Sequence, residues 1–219
     1  MSGARETARR RAPRSIAIVG GGLAAAEAAK TLRSDGFDGR LVVIGEEHHA
    51  PYERPPLSKE YLRGESTTEK ATALDADTAA EQRIELMLGQ LATDLDVHTR
   101  RLTLADGARL PFDGLLLATG AAPRLPAGPR PDWLHVLRTF EDADRLREAA
   151  GRASSAVVAG GGWIAAETAA SLSQLGLAVT LVVPGEEMLE RSLGPTVGSL
   201  FGSVHEAQGV RVVRRSRVA

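Results

Sequence analysis

A strand running into a glycine loop and an alanine-rich helix, met twice 140 residues apart with short alternating strands between, predicts an α/β fold. The fold expected is two Rossmann-like dinucleotide-binding units with a small antiparallel β-meander, the second unit being incomplete.

The first occurrence is residues 15–27, Ser-Ile-Ala-Ile-Val-Gly-Gly-Gly-Leu-Ala-Ala-Ala-Glu. Gly20 lets the backbone turn sharply and Gly22 lets it approach a pyrophosphate. Small Ala25 lets the helix pack on the strand, so a phosphate meets the positive helix end. Gly21 and Leu23 complete the binding loop. A second apolar strand at 41–44 leads to Glu46, placed to accept hydrogen bonds from a ribose. An ordinary strand-to-helix turn is the alternative. Strand, loop, helix, second strand and acid in that order favour the nucleotide site.

Residues 156–172 repeat the pattern, Gly20, Gly22, Ala25 and Glu27 aligning with Gly160, Gly162, Ala165 and Glu167. Trp163 and Ile164 line this second loop. Two matches with the same small residues imply two dinucleotides, a flavin beside a nicotinamide (FAD and NAD(P)H).

Composition narrows the chemistry. The chain has no cysteine, which excludes disulfides, thiolate metal sites and a redox-active cysteine pair. A net charge of -1 gives no general attraction to nucleic acid. No apolar run approaches the ~20 residues that cross a bilayer, so the expectation is a soluble, cytoplasmic protein with no membrane partner. Arg5, Arg9, Arg10, Arg11 and Arg14 imitate a targeting signal, but the apolar stretch after them is the first strand and loop. Residues 1–14 are therefore read as a flexible basic tail. Only three lysines occur, which makes Lys59 stand out. The adjacent His48 and His49 lack acidic or cysteine partners at ligand spacing, so no metal is expected.

Between the loops, 23–33 reads as a helix ending at a Ser-Asp-Gly turn. The prolines at 51, 55 and 56 make a stiff extended entry to a helix beginning near Ser58. Residues 64–82 read as loop and helix. Strands are expected at 84–88, 92–95, 101–104, 108–110 and 115–117, with Asp106-Gly107 as a hairpin turn, forming the small antiparallel layer and its return strand. Four prolines in 123–131 mark a linker, and 141–150 a charged helix. The domains expected are 15–121 for FAD, 122–152 as linker and helix, and 153–219 as a partial NAD(P)H unit. In that last unit 178–183 is a strand, 189–208 a helix pair or one broken helix, and 210–213 a third strand.

The run 51–61, Pro-Tyr-Glu-Arg-Pro-Pro-Leu-Ser-Lys-Glu-Tyr, together with the two glycine loops, closely resembles the FAD-dependent ferredoxin reductases of the rubredoxin and putidaredoxin reductase type. These belong to the pyridine nucleotide-disulfide oxidoreductase superfamily. The resemblance implies that Arg54 and Lys59 lie along the flavin, with Lys59 near its reactive end. It also implies that Ala92 contacts the adenine and that Ala118, Thr119 and Gly120 are a close backbone crossing. It implies a pair of Lys59 with Glu167 across the domain boundary; a glutamate stabilised by the helix dipole is the alternative. A lysine held by a proline-stiffened segment can itself stabilise negative charge on a reduced flavin.

Departures from the family are equally specific. Ala122 and Arg124 flank Pro123 where the family has two arginines, implying one flavin contact fewer. The ribose acid expected near Val183 is absent, leaving Glu186 or Glu187 for that contact, and NADH is favoured. The resemblance covers about half of a family member, whose later segments complete both units. It implies an NAD(P)H oxidoreductase passing electrons to a small iron–sulfur acceptor, a ferredoxin or rubredoxin-like protein. The alternative is a truncated nucleotide-binding or interaction module without turnover. A complementary chain or a homo-oligomer would cover the open sheet edge and apolar surface expected of a partial unit.

Overall fold

The computed structural model describes residues 12–125, 128–129 and 131–218. In chain order the elements are β1 Ser15–Val19, α1 Leu23–Ser34, β2 Arg40–Gly45, α2 Thr68–Ala71, α3 Ala76–Glu81, β3 Ile84–Leu88, β4 Ala92–Asp96, β5 Arg101–Leu104, β6 Arg109–Pro111 and β7 Gly114–Leu117. There follow α4 Phe140–Arg152, β8 Ser155–Ala159, α5 Trp163–Gln174, β9 Ala178–Val182, α6 Glu190–Ala207 and β10 Arg211–Val213. The chain forms two compact units, one running to Glu53 and resuming over Thr72–Ala121, the other made of Arg54–Ala71 and the residues from Ala122 onward.

In the first unit β3, β2, β1 and β7 form one parallel sheet in that order. Strands covered on both faces need continuous apolar runs, and 17–19 and 41–44 supply them. On one face Ala25, Ala26 and Ala29 of α1, each fully buried, lie against Ile18, Leu41 and Val43. Methyl side chains let the helix backbone approach closely. On the other face Ala17, Val19, Val42 and Ile44 pack with Leu102, Leu104 and Phe112 around the antiparallel sheet β4-β5-β6. Asp106-Gly107 makes the β5–β6 turn, closed by the Leu104 N–H donating to the Ala108 carbonyl at 2.9 Å. The Asp113 carboxylate accepts from the N–H groups of Arg14 at 2.7 Å and Ser15 at 3.1 Å, tying the start of β1 to the entry of β7.

The second unit has a parallel sheet in the order β10-β9-β8. Ala166, Ala169 and Leu172 of α5 pack against Val179 and Leu181 of β9. Helix α4 opens with a capping box: the Asp142 N–H donates to Thr139 Oγ1 at 3.2 Å and the Thr139 N–H to Asp142 Oδ2 at 3.1 Å. Helix α6 breaks at Gly194 (φ 80°, ψ 168°), and Pro195 then starts its second half, where a missing N–H costs nothing. The sheet keeps an exposed edge at β8, with Val157 66% exposed.

Three expectations are corrected. Residues 84–88 join the parallel sheet beside β2 rather than the antiparallel layer, because Ile84 is needed in the core with Leu41 and Val43. No α-helix starts near Ser58: Pro55–Ser58 is a single 3-10 turn, followed by irregular turns whose side chains pack on α4 and α5. Arg54–Ala71 clusters with the second unit rather than with residues 15–121. Its anchor is Tyr61, whose ring lies 4.8 Å from that of Phe140, whose hydroxyl donates to Asp144 at 3.1 Å, and whose carbonyl accepts from Arg147 at 3.1 Å. Burial, then the Asp144 carboxylate, push the Tyr61 phenol above its ordinary pKa.

Most of the expected basic tail, residues 1–11, lies outside the described residues, as does Pro126 of the linker. Among the described residues no helix is long and apolar enough to cross a membrane.

Candidate functional site

Two loops of the same design head the two units. At the first, Gly20 adopts φ +135°, and its N–H donates to the Ile44 carbonyl at 2.8 Å. A Cβ there would sit 2.0 Å from the carbonyl oxygen of Ala118, so only glycine fits. A Cβ at Gly21 would press on Gly45 at 3.2 Å, whereas Gly22 faces open space. Gly22 caps α1 with no side-chain hydrogen bond, and the first turn carries no acid. The helix end thus keeps its positive end of the dipole uncovered, as an incoming phosphate requires.

The structure brings Ala118 to this loop, its N–H donating to the Val19 carbonyl at 2.7 Å. Thr119 and Gly120 follow, both exposed, Gly120 at φ +67°. Ala25 is fully buried on the inner face of α1, and Leu23 starts the helix 41% exposed. Glu46 stands exposed one residue beyond β2. Its neighbour Glu47 accepts the Tyr52 hydroxyl at 2.6 Å. Tyr52, fully buried, bridges the backbones of Gly22 and Thr72. Sequence reading passed over Tyr52, although a tyrosine among prolines just after the acid was its visible signal. Ala92 opens β4 opposite Leu104 and packs into the core of the meander.

At the second loop Gly160 adopts φ +143° and donates to the Val182 carbonyl at 2.9 Å. A Cβ there would lie 3.2 Å from that of Ala165, which is why the helix needs a small residue at that position. Gly162 caps α5 without a side-chain bond, and again no acid lies in the first turn. Trp163 and Ile164 follow, 46% and 56% exposed, with Trp163 edge-on to Phe201 at 5.8 Å.

Beside this loop is a cavity of about 250 Å³, lined by Arg54, Pro55, Leu57, Ser58, Lys59, Leu137, Arg138, Trp163, Ile164 and Glu167. All belong to the second unit. Lys59 Nζ meets Glu167 Oε1 at 3.0 Å, and the Ser58 hydroxyl donates to Glu167 Oε2 at 2.5 Å. Lys59 also donates to the Pro55 carbonyl at 3.1 Å, and Arg54 to the Arg138 carbonyl at 2.8 Å. The pair expected across a domain boundary is thus formed inside one unit, because residues 54–71 pack on α4 and α5. Leu137 was not anticipated, and Ser58 was expected only at the start of a helix; no periodicity or spacing singles them out. Arg124 is exposed in the segment between β7 and α4.

At the end of β9, where an acid was sought, Val183 is 1% exposed. Glu187 is taken up by Arg214 at 3.0 Å, whereas Glu186 meets Arg215 at 2.9 Å on the surface. The Glu206 and Glu187 carboxylates hold the Arg214 guanidinium pKa above its ordinary value. Among the described residues no group of three or more histidine, cysteine or acidic side chains could hold a metal ion.

Several known proteins are similar to this chain. The chain is 37% identical over 207 residues to the ferredoxin--NAD(+) reductase subunit of a benzene 1,2-dioxygenase system from Pseudomonas putida, covering 93% of this chain and 50% of that protein. It is 39% identical over 207 residues to the ferredoxin--NAD(+) reductase component of a biphenyl dioxygenase system from Paraburkholderia xenovorans, covering 94% and 50%. Among solved structures, putidaredoxin reductase in its covalent complex with putidaredoxin matches with a TM-score of 0.88 at 33% identity, covering 94% of this chain and 51% of that one. A ferredoxin reductase from Rhodopseudomonas palustris matches with a TM-score of 0.89 at 32% identity, covering 94% and 51%. The chain spans about half the length of the curated relatives it matches. Residues 14–219, which hold both glycine loops, match the family throughout, and the chain belongs to the pyridine nucleotide-disulphide oxidoreductases.

Proposed function

We propose that this chain is the dinucleotide-binding part of an FAD-dependent NAD(P)H oxidoreductase that delivers electrons to a small iron–sulfur protein of the ferredoxin or rubredoxin kind. One observation carries the reading: two loops with the same glycine geometry, Gly20 at φ +135° and Gly160 at φ +143°, each opening onto an uncapped helix end. The residues present fit two dinucleotides. At Gly20 a side chain is forbidden by the Ala118 carbonyl, and at Gly22 and Gly162 the space is open for a pyrophosphate. FAD, when bound, supplies the conversion of a two-electron reductant into single electrons.

The protein's own residues bind and orient. Gly20 to Leu23 cradle the FAD pyrophosphate, and exposed Glu46 accepts from its ribose. Gly160 to Ala165 cradle the nicotinamide dinucleotide, with Trp163 and Ile164 shaping the entrance. Lys59, steered by Glu167, supports negative charge where it develops during reduction. Exposed Glu186, not Glu187, is the carboxylate left to meet the second ribose, which favours NADH. The named activities of the relatives, reductases of ferredoxin with NAD(+), support the electron route. We extend the reading to a cytoplasmic protein that works with a complementary chain or a second copy of itself.

The test is direct. Purified with FAD, the chain is expected to be yellow and to bleach anaerobically on adding NADH, the electrons then passing to an added ferredoxin. Protein that stays colourless with FAD and binds neither dinucleotide is a nucleotide-binding relic or interaction module. Lys59→Ala should slow bleaching while FAD stays bound; unchanged kinetics would remove Lys59 from the mechanism.

A further inference from the structure

The ion pair of Lys59 and Glu167 leaves one partner without a role. Ser58 is only 4% exposed, and its hydroxyl carries a single proton. Two acceptors are within reach: Glu167 Oε2 at 2.5 Å and the Pro55 carbonyl at 3.4 Å. The shorter and charge-assisted bond takes the proton. Ser58 is itself fixed from the other side, its carbonyl accepting the Ser171 hydroxyl at 2.6 Å. Ser171 lies one turn beyond Glu167 on α5 and accepts from Arg63 at 3.2 Å. Two bonds a turn apart therefore hold Ser58 against the helix that carries the carboxylate.

The Lys59 side chain is 39% exposed, and a half-exposed ion pair alone holds a long side chain weakly. A carboxylate gripped on one oxygen by a buried hydroxyl presents its other oxygen in a single direction. We propose that Ser58 is a positioning residue for the redox step: its hydroxyl orients the Glu167 carboxylate, and through it holds the Lys59 ammonium at the cavity. This rests on the functional reading above only for what Lys59 serves. The geometry it explains belongs to the chain itself.

The chain has three lysines, Lys30, Lys59 and Lys70. Competitive acetylation read by peptide mass spectrometry thus follows Lys59 against two internal standards, with no cofactor added. In Ser58→Ala the Lys59 rate should rise about threefold relative to the other two, as expected for loosening a half-exposed pair. Ser58→Thr, which keeps the hydroxyl, should restore the wild-type rate, and Glu167→Gln sets the upper limit of the effect. If Ser58→Ala does not fold, Ser58→Cys, similar in size but a weak donor, should give the same loss. Lys59 unchanged in rate in a folded Ser58→Ala or Ser58→Cys would overturn the assignment, and so would Glu167→Gln indistinguishable from wild type. Because the labelling needs no flavin, a colourless protein would sink the functional reading and leave this measurement intact.

Discussion

The two glycine loops share a backbone and differ in nearly everything attached to it. Gly20 and Gly160 turn alike, donate alike to the end of the next strand, and precede glycine caps with ψ −175°. Yet Gly20 is shut in by the Ala118 carbonyl of a strand alongside, whereas Gly160 meets only the Ala165 methyl. The reason is topological: β1 has neighbours on both sides, and β8 is an edge. The glutamates after the loops diverge too. Glu27 pairs with Lys30 on the surface of its own helix at 2.5 Å, and Glu167 is gripped by Ser58 and Lys59 from a distant segment. Phosphate binding needs only the backbone, so the duplicated part is the conserved geometry, and side chains are free to serve other ends.

Paired substitutions can break this comparison. The largest effect is expected from Gly20→Ala, which meets both a positive φ and a backbone oxygen and should cost about 3 kcal/mol or more. Gly160→Ala meets strain but a softer neighbour and should cost about 1–2 kcal/mol. Both tryptophans, Trp133 and Trp163, lie in the second unit, so their fluorescence in urea follows that unit while circular dichroism follows both. Equal losses in the two variants would erase the distinction between an enclosed and an edge loop.

A smaller contrast concerns the glutamates. In FAD-loaded protein Glu167→Gln should slow reduction by NADH about tenfold, since it removes the charge that holds Lys59. Glu27→Gln should stay within about twofold, an exposed pair contributing little. Stopped-flow bleaching separates the two, and matching rates would mean that the second glutamate is no more than a surface residue.

The smallest effect is expected at Asp113. The Arg14 N–H above all holds its carboxyl below the ordinary carboxylate range, outweighing the opposing desolvation, and the Ser15 N–H adds to the lowering. Because the folded pKa is the lower one, the stabilisation is present above about pH 3.9 and lost as pH falls through the folded value. Asp113→Asn should flatten the acid-unfolding curve below about pH 4. No comparable carboxylate fastens the start of β8 among the described residues, so this sharpens the contrast between a strand tied at its entry and one left at an edge.

Much of this was legible in the residues alone. Apolar runs at 15–19, 41–44 and 178–183 announce buried parallel strands, and the spacing of Gly20, Gly22 and Ala25 announces the loop, because these depend on local chain geometry. The broken helix around Gly194 and Pro195 is equally local. The misplacement of 84–88 and of the turns after Ser58 has a common cause: a five-residue strand or a proline-rich stretch takes its partners from the core around it.

The sequence by itself determined that the chain has two strand-glycine-helix turns of one design, since the positive φ at Gly20 and Gly160 favours glycine through local backbone geometry. Only tertiary structure decided that Arg54–Ala71 packs with the second unit, that Glu167 rather than Glu27 is drawn into a cavity, and that Ser58 holds it. Those outcomes depend on contacts between residues far apart in the chain, whose closeness is set by packing of Tyr61 on Phe140 and of Ser58 on Ser171, not by any local preference of the chain.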